Sequence, residues 1–394
     1  MTNSTPHSER TNIAIFGRCN SGKSSLVNAL TGQDVAIVSS EVGTTTDPVL
    51  KAMEITGVGA CVVIDTAGID DVSVLGRERV AKSRKMLERT DIAVLIFTDV
   101  EPSVEIEWLQ DIRKQNIAVI AVLSQCDRIA EPKTVAKNIE KQCGLKPICL
   151  SSTTGEGLEE LRAAILNLTS HQEQLLTEGF CEAGDTVLLV MPQDEQAPKG
   201  RLIKPQVQTI RELLDRGCNA LCCTADGMES ALKALSEAPK LIITDSQVFD
   251  RVYKLKPKAS ALTSFSVLFA RYKGDVDLFV EGAEKLLSLS PTAHILIAEA
   301  CTHTPQHEDI GRVKLPRLLR RKLGEELKID IVGGADFPAD LTPYDLVIHC
   351  GACMFNRRHV MSRVGRAVEQ GVAITNYGIA IAALTGILER VKYK

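Results

Sequence analysis

The sequence predicts an α/β protein of three domains, and three observations lead to this prediction. A glycine-rich segment at Gly17–Ser24 lies between a short apolar strand and a helix. The middle of the chain alternates strand and helix patterns, which is typical of a small parallel sheet. Two strands of the last third end at cysteines. A length of 394 residues suits two or three domains, and we expect them at residues 1–170, 171–265 and 266–394.

The composition is that of an ordinary globular protein and excludes several classes. The net charge of −4 gives no overall field that would attract nucleic acid or an anionic membrane. No apolar run approaches the roughly 20 residues of a membrane span. The polar N-terminus lacks an apolar signal core, so we expect a cytoplasmic protein. Twelve cysteines in such a compartment are expected to be reduced thiols.

The glycine-rich segment of the first domain fits G-x-x-x-x-G-K-S/T in full. A strand from Asn12 to Phe16 precedes it and a helix from Ser25 to Leu30 follows, as a phosphate-binding loop (P-loop) requires. Backbone N–H groups and the helix N-terminus then surround phosphate oxygens. Lys23 reaches the β- and γ-phosphates, and Ser24 ligates Mg²⁺. The predicted loop ligands of the nucleotide are Asn20, Ser21, Gly22, Lys23, Ser24 and Ser25.

The next segments occur in the order that a GTPase needs. Thr45, in a polar loop, can close over the γ-phosphate and Mg²⁺. Asp65 follows an apolar strand and can hold Mg²⁺ through water, while the Gly68 N–H can meet the γ-phosphate. The residues predicted to act in hydrolysis are therefore Lys23, Thr45, Asp65 and Gly68.

Two loops are similar to the guanine-reading loops of GTPases. Ser124-Gln125-Cys126-Asp127 resembles N-K-x-D, in which the final carboxylate accepts hydrogen bonds from guanine. Ser124 replaces the Asn and Gln125 replaces the Lys, so we expect guanine selectivity with weaker nucleotide affinity. The segment that begins Ser151-Ser152-Thr153 resembles the loop that closes over the base, with Ser152 as a contact.

Together these motifs resemble the TrmE/Era group of GTPases, over roughly residues 11–170. The resemblance implies a P-loop GTPase domain that uses GTP, GDP and Mg²⁺. Asn20 in N-x-G-K-S is typical of members that bind K⁺ beside the phosphates. Ile69 stands where other GTPases carry a glutamine, so intrinsic hydrolysis is expected to be slow and to need K⁺ or a partner.

The second domain carries no phosphate loop and no cluster of titratable residues. Its pattern predicts a small parallel-sheet α/β unit, and the simplest role of such a unit is the assembly of protein chains. Edge-strand pairing across a two-fold axis would give a homodimer or a higher homo-oligomer.

The third domain, again a smaller parallel-sheet α/β unit, carries the residues that can bind a metal. Cys301 and His303 follow a predicted strand, and His349, Cys350 and Cys353 follow another, with the last two spaced as C-x-x-C. If the strands are parallel neighbours, both ends open at one sheet edge. Three thiolates leave one iron of a four-iron cluster without a cysteine. The C-x-x-C spacing also occurs in half of a zinc site, in a redox pair or by chance. Each histidine could be a metal ligand or could form a hydrogen bond beside a ligand.

A GTPase domain followed by C-x-H and then H-C-x-x-C resembles one family closely, HydF, the [FeFe]-hydrogenase maturation GTPase. The resemblance covers the whole chain, and the middle domain matches that family's dimerisation domain. It implies a [4Fe-4S] cluster on Cys301, Cys350 and Cys353 with an exchangeable fourth position. It also implies a scaffold or carrier that passes a transient di-iron precursor to apo-[FeFe]-hydrogenase, with the radical-SAM maturases HydE and HydG as partners.

Two other functions remain open on the sequence. One is a TrmE/Era-like GTPase that acts on RNA or the ribosome and carries a structural metal site. The low aromatic content of 4% and the net acidity make nucleic-acid binding less expected. The other is a GTPase-driven assembly protein with structural zinc.

Overall fold

The structure is a computed structural model of the chain. It describes residues 10–31, 39–41, 49–55, 57–71, 74–169, 175–192, 202–299, 310–334, 336–352 and 355–393. Thr45, Cys301, His303 and Cys353 therefore lie outside the described residues.

The chain forms two compact units. The first contains Met1–Glu173 and Met354–Ser362, and the second contains Gln174–Cys353 and Arg363–Lys394. The second unit contains two separate sheets, so the fold has three sheets in all among the described residues. The predicted domain boundaries near residues 170 and 265 both stay predictions.

The first unit is built on a seven-stranded sheet. The strand order is β2-β3-β4-β1-β5-β6-β7, in which β2 and β3 run antiparallel to their neighbours and the other pairs are parallel. The strands are β1 (Thr11–Phe16), β2 (Ser39–Glu41), β3 (Val49–Ile55), β4 (Gly59–Asp65), β5 (Ile92–Phe97), β6 (Ala118–Leu123) and β7 (Ile148–Cys149). The parallel strands are predicted from apolar runs, whereas the antiparallel edge is not, because its residues mix polar and apolar types.

Among the residues that the structure describes, five α-helices accompany this sheet, and apolar side chains pack on both of its faces. They are α1 (Lys23–Thr31), α2 (Val74–Met86), α3 (Ser103–Lys114), α4 (Pro132–Cys143) and α5 (Leu158–Thr169). On one face Trp108 of α3 is buried and lies 5.3 Å from the Phe16 ring centroid. On the other face Leu26 and Val27 of α1 pack with Ile13 of β1. Burial of such side chains contributes about 1.5–3 kcal/mol each, which fixes the start of α1 against the sheet.

The first sheet of the second unit has four parallel strands in the order β11-β10-β8-β9. They are β8 (Thr186–Val190), β9 (Asn219–Cys223), β10 (Leu241–Thr244) and β11 (Ala261–Ser264), accompanied by α6 (Lys204–Asp215), α7 (Met228–Lys233), α8 (Phe249–Leu255) and α9 (Phe265–Lys273). The predicted parallel α/β unit is present. The short run Ala-Leu-Thr-Ser of β11 is recognisable as a strand only by its pairing with β10.

The last sheet also has four parallel strands, in the order β13-β12-β14-β15. They are β12 (His294–Ala298), β13 (Lys328–Val332), β14 (Leu346–His349) and β15 (Ala373–Asn376), accompanied by α10 (Val276–Leu287), a five-residue π-helical turn (Ile310–Lys314), α11 (Leu315–Leu323), α12 (Arg357–Glu369) and α13 (Tyr377–Leu384). Gly282 of α10 permits close packing, because a Cβ there would lie 2.1 Å from the Ile374 carbonyl oxygen of β15. The final helix ends at Leu384, and Gly386, two residues further on, adopts φ of 70°.

Among the described residues, no helix is both long enough and apolar enough to cross a membrane.

Candidate nucleotide and metal sites

The loop between β1 and α1 has the strand–loop–helix context that the sequence predicts. Asn20 and Gly22 adopt positive φ angles of 58° and 91°, which turn the backbone inward on itself. Gly17 leaves room for this turn, because a Cβ there would lie 2.7 Å from Ser21 Oγ. Ser24 and Ser25 are exposed in the first turn of α1. The loop can therefore direct N–H groups toward a phosphate.

Lys23 is folded against this loop. Its ammonium donates to the carbonyl oxygens of Gly17 at 3.0 Å and Arg18 at 2.7 Å. Burial lowers the pKa of Lys23, and the Asp65 carboxylate opposes that effect. The charge is thus held within the loop, where phosphate oxygens would be its natural partners.

Ser24 and Asp65 are brought together from two elements to form a hard-oxygen donor pair. The Ser24 hydroxyl donates to Asp65 Oδ2 at 2.7 Å. Asp65 Oδ1 is buried and accepts no hydrogen bond from any described residue. Oxygen donors with one unused carboxylate oxygen fit Mg²⁺. The third predicted ligand, Thr45, lies outside the described residues.

The segment that follows Asp65 is tied to the phosphate loop. A Cβ on Gly68 would lie 2.2 Å from Cys19 Sγ and 2.8 Å from Cys19 N, so this position needs glycine. The Cys19 N–H donates to Asp70 Oδ1 at 2.7 Å, and the Ile69 N–H donates to the Gly17 carbonyl at 3.1 Å. Asp70 is not predicted from the sequence, because no motif marks it and its partner lies 51 residues away.

A second missed contact anchors the loop to α3. Arg18 binds Glu105 through two hydrogen bonds, of 2.8 Å from Nε and 3.0 Å from Nη2. Arg18 also donates to the Glu101 carbonyl at 2.8 Å. Glu105 is only 1% exposed although it occupies a helix. The sequence feature that could have indicated this contact is a glutamate at a core-facing position of an amphipathic helix.

Ser124 and Gln125 contact the phosphate loop from the end of β6. The Ser124 hydroxyl donates to the Ser21 carbonyl at 2.6 Å, and the Gln125 side-chain amide donates to the Asn20 carbonyl at 2.9 Å. Both residues of this altered motif therefore link the predicted base-reading loop to the predicted phosphate-binding loop.

Asp127 lies beside the second base-reading loop. A hydrogen bond from the Ser151 hydroxyl lowers the pKa of the Asp127 carboxyl below its ordinary value. Ser151 Oγ also accepts the N–H groups of Thr153 at 3.3 Å and Thr154 at 3.2 Å, which fixes the loop. The predicted contact, Ser152, is half-buried in the same loop. Ser151 was part of the quoted motif, but its link to Asp127 emerges only from the fold.

At the candidate metal-binding motif, β12 and β14 are parallel neighbours, which confirms the predicted arrangement of these strands. Ala298 pairs with His349, and the Cys350 N–H donates to the Ala298 carbonyl at 2.9 Å. The Cys350 Sγ accepts the Ala352 N–H at 3.4 Å, and Ala352 adopts φ of 47°. A thiol that receives a backbone N–H in a tight turn fits a cluster ligand, because such bonds stabilise the thiolate.

His349 is completely buried and uses both ring nitrogens. Nδ1 lies 2.7 Å from the Cys350 carbonyl oxygen, and Nε2 lies 3.2 Å from Arg363 Nη1. Burial, with the charge of Arg363, lowers the pKa of His349 to about 3. This arrangement favours a hydrogen-bonding neighbour of the cysteine over an iron ligand.

The remaining predicted ligands are Cys301, His303 and Cys353, outside the described residues. Within the part of the chain that is described, no group of three or more His, Cys, Asp or Glu residues is close enough to hold a metal ion. The full ligand set therefore stays a prediction.

Comparison with protein families now adds to this geometry. Residues 12–125 match the 50S ribosome-binding GTPase family. Residues 176–274 match the hydrogen maturase F dimerization domain, and residues 277–392 match the hydrogen maturase F tetramerization domain. The last two matches cover more than half of the chain. The chain belongs to the HydF family. The chain thus carries a domain of a GTPase family and two domains of the kinds that support homo-oligomerisation.

The curated relatives are tRNA modification GTPases that match less than half of this chain. The tRNA modification GTPase MnmE of Nitrosomonas europaea is 34% identical over 170 residues, which are 42% of this chain and 36% of that protein. MnmE of Legionella pneumophila strain Corby is 32% identical over 172 residues, 43% and 36% of the two chains. The matched part of this chain thus spans 36% of the length of these relatives.

Two solved structures are similar to part of this chain. The G domain of the T. maritima FeoB iron transporter is 27% identical with a TM-score of 0.32, covering 41% of this chain and 99% of that one. Aquifex aeolicus Era is 22% identical with a TM-score of 0.35, covering 57% and 98%.

Proposed function

We propose that the chain is a GTP-hydrolysing iron–sulfur scaffold and carrier that matures [FeFe]-hydrogenase. It holds a di-iron precursor of the hydrogenase active site and delivers it to the apo-hydrogenase in the cytoplasm, with HydE and HydG as partners. The observation that carries the proposal is the register of β12 and β14. Ala298, three residues before Cys301, lies opposite His349, the residue before Cys350. Such a register supports a common thiolate site at one sheet edge.

The cluster ligands in this proposal are Cys301, Cys350 and Cys353. A [4Fe-4S] cluster on three cysteines supplies one iron position with an exchangeable ligand. His303 and His349 are the side chains of the motif that could serve there. The contacts of His349 support its role as a hydrogen-bonding neighbour instead. The role of the chain's own residues is to hold three sulfur donors and leave the cargo access to the fourth corner.

The GTPase site works by positioning. Lys23 and the loop N–H groups bind the β- and γ-phosphates. Ser24, Asp65 and Thr45 would hold Mg²⁺, which bridges phosphate oxygens and offsets developing charge. Ile69, only 6% exposed, offers no polar group to orient water. Slow intrinsic hydrolysis follows, with K⁺ at Asn20 or a partner protein as the accelerating element.

Nucleotide turnover is coupled to cargo handling as a timing switch. The Asp65–Asp70 segment contacts the phosphate loop through Ile69 and Asp70. Exchange of GTP for GDP changes the groups that this segment and the Thr45 loop can bind. We infer that this change alters association with partner proteins and does not drive chemistry at the cluster.

Cysteine variants test the cluster assignment. Iron, sulfide and the electron paramagnetic resonance (EPR) of the anaerobically reduced protein are measured for Cys301→Ser, Cys350→Ser and Cys353→Ser. Each is expected to lose most of its cluster and its ability to mature apo-hydrogenase. Cys222→Ser is the matched control, since Cys222 is an exposed thiol of a different sheet. Full iron and sulfide in all three variants would refute the assignment.

Lys23→Ala separates the two activities. Removal of the ammonium is expected to abolish GTP turnover while iron and sulfide stay at the wild-type level. A parallel loss of cluster would contradict independent sites.

A second candidate rests on the curated relatives, which are named as tRNA modification GTPases. In this alternative the chain acts on RNA or the ribosome and carries a structural metal such as zinc. A salt-dependent mobility shift with tRNA and a colourless, zinc-containing preparation would favour it. A brown preparation with broad absorption near roughly 400 nm favours the cluster.

A further inference from the structure

A buried arginine lies on α12 among core positions of the second unit. Arg363 is 1% exposed, and Ala367, about one turn further along the same side of the helix, is 0% exposed. Burial of a guanidinium costs free energy unless its N–H groups find acceptors. An arginine at such a position is therefore kept in place by specific contacts.

The contacts of Arg363 include His349, the residue before Cys350, and two residues after β13. Nη1 lies 3.2 Å from His349 Nε2, and Nη2 donates to the Gly334 carbonyl at 2.6 Å. The guanidinium carbon lies 4.8 Å from the Phe337 ring centroid, as in a cation–π contact. These contacts fix the orientation of the planar group.

This orientation determines which nitrogen of His349 carries the proton. A guanidinium only donates, so Nε2 must accept and the proton must reside on Nδ1. Nδ1 then donates to the Cys350 carbonyl, 2.7 Å away. The Cys350 N–H is bound to Ala298 at 2.9 Å, so both sides of the Cys350 backbone are held.

We propose that Arg363 is a positioning residue for Cys350, acting through the His349 imidazole, and that its charge favours the reduced state of a cluster bound there. The inference rests on the proposed iron–sulfur function. Reduction adds one negative charge to the cluster, and a buried cation attracts a neighbouring negative charge more strongly than a solvated cation does, because less solvent screens the interaction. His349 is engaged on both nitrogens and serves as a link, not as an iron ligand.

The experiment uses the full-length protein, anaerobically reconstituted, with three variants. Arg363→Met removes the positive charge and the hydrogen bonds of the guanidinium. Arg363→Lys keeps the charge but cannot reproduce the planar group that bonds to His349 and Gly334 together. His349→Asn keeps a donor for the Cys350 carbonyl but removes Nε2. Iron content, the EPR spectrum of the reduced state and the midpoint potential are measured. The GTPase rate with the free nucleotide is the control, since no residue of that site is altered.

The expected result for Arg363→Met is a midpoint potential shifted to more negative values, with an altered EPR spectrum. Arg363→Lys is expected to keep a potential closer to wild type than Arg363→Met while its EPR spectrum changes. Where Arg363→Met does not fold, judged by its melting curve, Arg363→Lys and His349→Asn carry the test through their EPR spectra.

Two results would overturn the inference. One is a wild-type potential and EPR spectrum in Arg363→Met. The other is a strong nitrogen coupling in pulsed EPR of the wild type that disappears in His349→Asn, because it would make His349 an iron ligand. If Cys350→Ser keeps its full cluster, the proposed function itself fails. If Cys350→Ser loses the cluster and Arg363→Met behaves as wild type, only the role of Arg363 fails.

Discussion

The side-chain amide of Gln125 donates a hydrogen bond of 2.9 Å to the main-chain carbonyl of Asn20. Both residues adopt left-handed backbone conformations, with φ of 56° and 58°. The bond therefore joins two tight turns, one at the end of β6 and one in the phosphate loop. Gln125 takes the place of a lysine in the N-K-x-D pattern, and it keeps the connection between the two loops.

Replacement of Gln125 tests this connection. Gln125→Ala removes one hydrogen bond, worth about 0.5–1.5 kcal/mol, so GDP affinity is expected to fall by roughly threefold to tenfold. Gln125→Lys is expected to bind at least as tightly as wild type, because the longer stem can also cover the base. Titration calorimetry with GDP measures both. Unchanged affinity in Gln125→Ala would show that the loops do not depend on this bond.

Asp127 is expected to select guanine, and its ionised state matters. Asp127→Asn is expected to weaken GDP binding by about 100-fold, since two charge-assisted hydrogen bonds are lost. Xanthosine diphosphate, which has an acceptor where guanine has an amine, is expected to gain affinity in this variant. Competition against a fluorescent nucleotide measures the ratio of the two affinities. An unchanged ratio would remove Asp127 from the base site.

The pH dependence of guanine binding follows from the same carboxyl. The Ser151 hydroxyl lowers the folded-state pKa of the Asp127 carboxyl. The carboxyl is therefore ionised above the ordinary carboxyl range, and it becomes protonated only when the pH falls through the lowered pKa. Ser151→Ala is expected to move the acid limb of GDP binding toward higher pH. Thr153→Ala is the control, because its backbone N–H still reaches Ser151.

Asn20 is expected to carry the response to K⁺. Its side chain is exposed in the phosphate loop, while its carbonyl is bound to Gln125. GTP hydrolysis in K⁺ is expected to exceed that in Na⁺, and Asn20→Ala is expected to abolish the difference without abolishing GDP binding. Phosphate release in the two salts at equal ionic strength measures it. Equal rates in both salts for the wild type would contradict the K⁺ assignment.

Gly68 is expected to tolerate no side chain. A methyl group there would meet Cys19 Sγ at 2.2 Å and push the segment after Asp65 away from the phosphate loop. Gly68→Ala is expected to lower GTP turnover strongly. The strain is also expected to lower the free energy of unfolding by about 1–3 kcal/mol. Gly365→Ala on α12 is the matched control, since nothing lies within 4 Å of its added methyl. Normal turnover in Gly68→Ala would show that the segment moves without cost.

Glu105 and Glu107 offer a matched pair on α3. Glu105 is buried against Arg18, whereas Glu107 forms an exposed pair with Arg84. Glu105→Gln is expected to destabilise the protein by about 3 kcal/mol, because it leaves a partly buried cation with a weaker partner. Glu107→Gln is expected to cost less than about 1 kcal/mol. Urea unfolding of the first unit compares them, and equal effects would contradict the structural role of Arg18.

Local sequence determined the parts of the candidate sites that depend on spacing. The glycines around Lys23, the carboxylate at the end of β4 and Asp127 after β6 lie where apolar strands stop, so strand patterns alone placed them. The C-x-x-C pair was found for the same reason. These features are local because the chemistry needs adjacent backbone groups or side chains at one strand end.

The tertiary structure decided the contacts that hold those residues in place. Asp70, Glu105, Ser151 and Arg363 act on partners that no motif links to them, 51 and 87 residues away in the first two cases. Sequence alone marks a helix position as core-facing, and whether a charged group can be buried there depends on acceptors brought by other elements. Arg363 is stable in the interior because folding supplies His349, Gly334 and Phe337 around it, and only the packed chain contains that arrangement.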